Sequence, residues 1–375
     1  MRRLFFIPLI AAFAAAAPVH AQQPEPERPS LGRGADPNDW EAYFDQGESQ
    51  FERFPGRAAA AFYWAARLDP TRAEPLFAQW AAFFSRDWGL WLSYVYEEKA
   101  TFERPDVLAN EALRRRSYYR NPFVHRGFEA ALWSRMGREM RWDGASAAFM
   151  NYGRGDFAQA AAGFGRVVRA NPVQNVRWRQ WRALSFAGAG ELDSAAVELG
   201  HLLQTLRTQD QVVMGYYESK AMHEYALGML HEAGGRTAEA RRAWERALEE
   251  DMSMYPARAA LARLALRERH ATEAADHMSQ AVDLAPDDAV MQFEFGNALV
   301  AANRRDDAIA AYQRAIQLEP YWAEPYMRLG IAFDNAGKPA EALVAYRAYL
   351  ERAPRRHGPA IQRITERIAT LGQSP

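Results

Sequence analysis

The chain has 375 residues, a formal net charge of −1, 49% hydrophobic residues and no cysteine. That size and apolar content suffice for a buried core. The missing cysteine excludes disulfides, thiolate catalysis, thiolate metal sites and a lipid anchor attached through a cysteine.

Residues 1–21 read as a secretory signal peptide. Arg2 and Arg3 precede an apolar, alanine-rich segment from Leu4 to Ala17, and Val19-His20-Ala21 forms a small-x-small cleavage site. The apolar run is about 14 residues, short of the ~20 a spanning helix needs. Its form is bacterial, so the expectation is an exported protein, periplasmic or secreted, with no membrane span after cleavage. Residues 22–38 are rich in Pro, Gly and charge and read as a flexible linker, with folded structure beginning near Trp40.

Residues 39–220 read as a divergent, aromatic-rich helical repeat region. Ala58, Phe62, Ala65 and Pro70 carry a spacing that returns later in the chain, although Gly47 falls one place late. A second half-repeat has Ala160, Phe164 and Pro172, followed by Gly190 and Ala195 in the stretch from Val176 to Leu203. Between them, Ala73 to Asp143 shows helical periodicity without repeat marks. Aromatic residues crowd this region, among them Trp80, Phe84, Trp88, Trp91, Tyr94, Tyr96, Tyr118, Tyr119, Trp133, Trp142, Trp178 and Trp181. Two readings follow: rings that fill gaps between irregular helix pairs, or an aromatic surface over residues 76–182 for a peptide, glycan or other ligand. Charge is uneven as well. From Arg114 to Arg182 there are fourteen arginines against four acidic residues, whereas acidic residues prevail from Ala183 to Glu294. Oppositely charged halves point to salt-sensitive self-association, and export argues against nucleic acid as a partner.

Residues 221–356 read as four copies of one 34-residue pattern. Pro286, Pro320 and Pro354 recur at that interval, with Met252 where the first copy lacks proline. Leu227, Leu261, Phe295 and Leu329 correspond, followed by Gly228, Ala262, Gly296 and Gly330. Later in each copy come Ala240, Ala274, Ala308 and Ala342, then Trp244, Met278, Tyr312 and Tyr346. Each copy has two apolar runs of helical period split by a polar or glycine-containing break, and proline ends the second. A small residue at a helix crossing lets backbones approach while a large one fills the hollow beside it. In these marks the chain resembles the tetratricopeptide repeat (TPR) family, whose unit is a helix, a turn and a second helix.

The resemblance implies an all-α, right-handed TPR-type helical solenoid with a divergent helical N-terminal half. Residues 357–375 supply a capping helix and tail, as such arrays require. It also implies a groove lined by the first helices of the units, at Tyr225, Met229, Arg263, Arg267, Phe293, Asn297 and Met327. A carboxylate clamp would need more Lys, Asn and Arg than Arg263, Arg267 and Asn297 supply, and Glu294 opposes it. A mixed apolar groove for a helix or extended peptide fits better. No catalytic constellation is present: His223-Glu224 with His231 has the wrong spacing for a zinc-protease motif, and no phosphate loop or GxSxG occurs. The sequence therefore points to a noncatalytic protein-interaction scaffold of the bacterial envelope, without cofactor or metal, that binds a protein or peptide.

Overall fold

A computed structural model describes residues 25–95, 98–124, 127–128, 130, 132–134, 145–170, 176–209 and 219–372. The signal segment 1–21 and the first linker residues, 22–24, lie outside the described residues, as do Tyr96 and Trp142 of the aromatic set and the tail 373–375. Among the described residues the regular structure is helical throughout, with no strand.

Helices pair along the chain as antiparallel neighbours. The first pair is α1 (Trp40–Gln50) and α2 (Pro55–Leu68). Next, α3 (Ala73–Ser85) packs on α6 (Pro105–Arg120), with the short α4 (Trp88–Val95) and α5 (Lys99–Phe102) between them. Then come α7 (Ala145–Gly153) with α8 (Phe157–Ala170), and α9 (Val176–Gly188) with α10 (Leu192–Gln209). The regular array follows: α11 (Lys220–Ala233) with α12 (Thr237–Glu250), α13 (Tyr255–Arg267) with α14 (Ala271–Leu284), α15 (Ala289–Ala301) with α16 (Arg305–Leu318), and α17 (Ala323–Asn335) with α18 (Pro339–Arg352). A terminal helix, α19 (Gly358–Leu371), packs on α18.

The repeat marks explain why these helices pair. A Cβ built on Gly228 would lie 2.3 Å from the Trp244 ring, and one on Gly296 or Gly330 would lie 2.5 Å from Tyr312 or Tyr346. Each glycine is thus the floor on which its ring rests, and the helices cross closely there. Ala240, Ala308 and Ala342 are buried on the facing helices. Gly47 meets Phe62 in the same way, at 2.4 Å, so the one-residue offset of the first unit is absorbed in its turn and not in its packing. Pro320 and Pro354 sit in the turns between units, and the Pro320 carbonyl accepts from Tyr326 Oη and Arg352 Nε.

Within each array unit the first helix ends alike. In the second unit Arg269 adopts φ 66°, while His270 N–H reaches back to the Ala265 carbonyl at 2.8 Å; in the third, Asn303 has φ 60° and Arg304 N–H bonds Leu299 O at 2.8 Å. These are Schellman-type ends that turn the chain into the second helix. Gly235 and Gly337 hold the matching positions in the flanking units.

The capping helix starts at Gly358 and lays Ile361, Ile364, Ile368 and Leu371 against Tyr346 and Tyr349, while Gln362, Arg363 and Glu366 face outward. It closes the apolar end of the array. The linker differs from expectation. From Glu25 on it is pinned, because its carbonyls and side chains bond groups at both ends of the solenoid: Trp64 Nε1 donates to Pro26 O at 3.0 Å, and Asn38 Nδ2 donates to Glu351 O at 2.9 Å. Asp36 accepts from the Arg355 backbone N–H at 2.6 Å.

The aromatic region forms a packed interior. Trp80, Phe84, Trp91 and Trp181 are fully buried, and Trp91 meets Trp133 edge-on at 5.4 Å between centroids. Phe149 lies in turn against Trp133, Phe164 and Trp181. These rings fill the space between helix pairs that lack the regular 34-residue spacing of the array.

Candidate functional site

The seven groove residues lie on the inner helices α11, α13, α15 and α17, but they do not share one open surface. Tyr225 is 1% exposed; its hydroxyl donates to the Tyr119 carbonyl at 2.7 Å, and burial pushes its phenol up to about 12. Met229 packs half-buried in the cluster that takes in Tyr118 and Tyr119. The end of α6 therefore occupies the groove at the first unit. Met327 and Ile331 pack in the cluster built with the capping helix.

Between those two ends the residues pair across units. Arg263 on α13 bonds Glu294 on α15 at 2.9 Å, and Arg267 bonds Glu232 on α11. Burial works against the Arg263 charge, yet the charge and hydrogen bond of Glu294 hold it above the ordinary arginine range. Asn297 accepts from the Tyr312 hydroxyl at 2.9 Å, and Phe293 packs against Trp322 with centroids 4.7 Å apart. The strip from Arg263 and Arg267 through Phe293 and Asn297 remains part-exposed. It offers charge, amide and ring edge in sequence.

A second surface was not legible in the sequence. The N-terminal half docks on the rim where the turns between units lead into the inner helices. Met222 O accepts from Tyr118 Oη at 2.7 Å; Tyr255 meets the Tyr119 ring at 5.1 Å; Asp288 pairs with Arg120. Farther along, Tyr321 packs edge-on against Trp64 at 4.9 Å, and Arg355 bonds Asp36. Those five rim positions are 33 or 34 residues apart, one at the entry to each of the four inner helices and the fifth before the capping helix. Arg356 completes the closure with an ion pair to Asp39 at 3.2 Å and its guanidinium over Trp40.

The centre of this seam is charged. Arg120 and Asp288 are 7% and 4% exposed, and Asp288 also caps α15 through Val290 N–H and Met291 N–H. Burial would raise the Asp288 carboxyl, but Arg120 and Arg116 hold it below the ordinary carboxylate range. A cavity of about 40 Å³ lies beside the pair, lined by Tyr63, Arg67, Arg116, Asp287 and Glu319 among others. There Arg67 Nη1 approaches Glu319 Oε2 at 2.9 Å, but the geometry is not that of an aligned hydrogen bond and Oε2 has no aligned donor. Burial pushes the Glu319 carboxyl up to about 7, with Arg67 pulling the other way. The uneven charge along the chain thus finds partners within one copy: Arg120 with Asp288, and Arg179 and Arg182 with Glu198.

The fold is that of a helical repeat solenoid, a class that works by presenting surfaces to other molecules. Comparison with known proteins agrees. The tetratricopeptide repeat family matches residues 152–210 and 225–289, a further family described as TPR repeat matches 296–337, and another tetratricopeptide repeat family matches 326–355. The chain is a tetratricopeptide-repeat protein, and its repeat region is of the protein-interaction kind. It is 38% identical over 86 residues to the Hsp70-Hsp90 organizing protein of Triticum aestivum, covering 23% of this chain and 15% of that protein. It is 27% identical over 206 residues to Protein O-mannosyl-transferase TMTC1 of Homo sapiens, covering 52% of this chain and 22% of that protein. The chain therefore spans less than a quarter of either relative. The C-terminal part of a TPR repeat-containing protein from Cytophaga hutchinsonii superposes with a TM-score of 0.50 at 14% identity, covering 61% of this chain and 88% of that one, and shares the fold.

Proposed function

We propose that this protein is a noncatalytic, exported scaffold of the bacterial cell envelope that holds a partner peptide or helix on the inner face of its array. The observation that carries the reading is the part-exposed strip of Arg263, Arg267, Phe293 and Asn297 on two consecutive inner helices. Its arginines are already paired with Glu294 and Glu232, so the strip offers a peptide a ring edge, an amide and balanced charge, with no bare cation waiting for a carboxylate. The aromatic region supports this reading over a carbohydrate-binding one, since its largest rings are packed in the interior. The relative named for organising Hsp70 and Hsp90 is in keeping with a scaffold role. Export rests on the sequence of residues 1–21, and cell fractionation tests it.

The decisive experiment is affinity capture from the envelope fraction with the wild-type chain and with Arg263→Glu/Arg267→Glu. A partner retained by the wild type should be lost from the double variant. It should be kept by Arg347→Glu, a reversal at an exposed site on the outer helix α18. Equal retention by all three chains refutes the groove as the site.

A further inference from the structure

Residues 25–31 (EPERPSL) cross an aromatic groove at the seam between the first repeat and the last. Its walls come from both ends of the chain: Tyr43 on α1, Tyr63, Trp64 and Arg67 on α2, and Tyr321 in the turn before α17. Pro26, Arg28, Pro29 and Leu31 are part-buried, whereas Glu25, Glu27 and Ser30 are exposed. Trp64 Nε1 donates to the Pro26 carbonyl at 3.0 Å. Arg28 places its guanidinium 4.9 Å from the Trp64 ring and 5.2 Å from the Tyr43 ring, and its Nε donates to Tyr43 Oη at 2.9 Å. Leu31 packs in the cluster of Trp40, Tyr43 and Trp64. Glu25 reaches across, accepting from Arg67 Nη2 at 3.0 Å and from Tyr321 Oη at 3.0 Å.

This is the chemistry by which aromatic grooves hold extended proline-rich peptides. Such a segment loses little entropy on docking, leaves its carbonyls free to accept, and seats on ring faces. The tryptophan N–H fixes the Pro26 carbonyl, the prolines on either side of Glu27-Arg28 hold the backbone extended, and the paired rings select a cation two residues after Pro26. We infer that the groove between Tyr43, Trp64 and Tyr321 is a recognition site for extended Pro-x-Arg-Pro peptides, and that residues 25–31 fill it as a tethered ligand. An outside peptide then has to compete with the tethered segment. A short covalent linker sets an effective concentration on the order of millimolar, above the working concentration of any competitor of modest affinity. Because Tyr321 belongs to the array and Trp64 to the first repeat, occupancy also bridges the two ends of the solenoid. The site is separate from the inner-face strip and does not depend on it.

The test uses the full chain and a fluorescein-labelled synthetic peptide of residues 23–32, read by fluorescence anisotropy. Arg28→Glu removes the cation from between the rings and loosens the tethered segment without shortening it. The labelled peptide should bind Arg28→Glu at least about tenfold more tightly than wild type, the margin the lost tether provides. Adding Trp64→Phe keeps a ring but removes the N–H, and should abolish binding, as should replacing both Pro26 and Pro29 of the peptide by alanine. Equal binding to wild type and Arg28→Glu, binding that survives Trp64→Phe, or equal binding of the proline-free peptide each overturns the assignment. Should Arg28→Glu lose helicity by circular dichroism, Arg28→Ala is read by the same criteria. Dimerisation of Arg28→Glu without peptide uptake also overturns it, since the groove would then prefer a second copy.

Discussion

Substituting Gly296 by alanine tests whether the array is held by glycine floors under rings. A Cβ at 296 would sit 2.5, 2.7 and 2.9 Å from three atoms of the Tyr312 ring, closer than a methyl group can approach. The ring has little room to yield. It is 1% exposed, and its hydroxyl is tied to Asn297 at 2.9 Å. Overpacking of this kind costs about 1–3 kcal/mol. Alanine regains about 0.5–1 kcal/mol over glycine inside a helix. The net loss should be roughly 0.5–2 kcal/mol, toward the upper end if the Asn297 bond breaks, itself worth about 1 kcal/mol. The chain contains its own control. In the second array unit the same two positions are Ala262 and Met278, both buried, so a side chain at the floor goes with a flexible thioether above it. Introducing Tyr312→Met should therefore relieve Gly296→Ala. A double-mutant cycle should give a favourable coupling of about 1–2 kcal/mol between them. Because repeat arrays need not unfold in one step, urea unfolding by circular dichroism should be paired with hydrogen exchange of α15 and α16. A Gly296→Ala chain as stable as wild type, or a coupling indistinguishable from zero, would refute the packing argument.

Three further outcomes follow from the seam and the turns. Arg120→Ala strands the buried Asp288 carboxylate and should cost roughly 3–5 kcal/mol in urea unfolding; a loss under about 1 kcal/mol would mean water reaches the pair. Glu319 binds its proton more tightly in the folded chain, with a carboxyl at about 7 against an ordinary value of 4.5. Its contribution should be most favourable below about pH 4.5 and decline as pH rises to about 7, and Glu319→Gln should flatten that part of the profile measured by thermal melting. Arg269 pays for its φ of 66°, so Arg269→Gly should raise stability by up to about 1 kcal/mol, and an unchanged or lowered midpoint would show that the side chain offsets the strain.

The regular array was legible because its determinants are local. Gly296 and Tyr312 are sixteen residues apart, as are Gly228 with Trp244 and Gly330 with Tyr346, and that fixed spacing is the packing. The capping helix was legible for the same reason, with Ile361, Ile364, Ile368 and Leu371 on one face. The seam was not legible, since its partners are distant in sequence: Arg120 and Asp288 lie 168 residues apart, and Arg67 reaches the Leu318 carbonyl across 251. The arginine excess was plain, but nothing along the chain says which arginine meets which acid. Tyr225 and Met229 carried the marks of an open groove because periodicity cannot show that another helix end already lies there. Residues 25–31 read as a tether because prolines and charges give no apolar period, although ring faces can hold such a segment without one.

The rim and the irregular half explain each other. The four units and the capping helix each bring one residue to the rim at a near-constant interval, yet those residues are chemically unlike: Met222, Tyr255, Asp288, Tyr321 and Arg355. A regular partner would meet such a series equally well in several registers. The N-terminal half meets it in one, because Arg120 finds its counter-charge only at Asp288. A slip of one unit toward either end would set Arg120 against Tyr255 or Tyr321 and bury two charges apart, at several kcal/mol for each ion. Tyr255 also donates to Asp288 at 3.4 Å, which adds to what a slipped register forfeits. The unlike residues at Trp64, Tyr118, Tyr119 and Arg120 are thus matched to the docking, since each rim contact needs its own complement. The charged pair at the middle of the ladder selects which unit each complement meets.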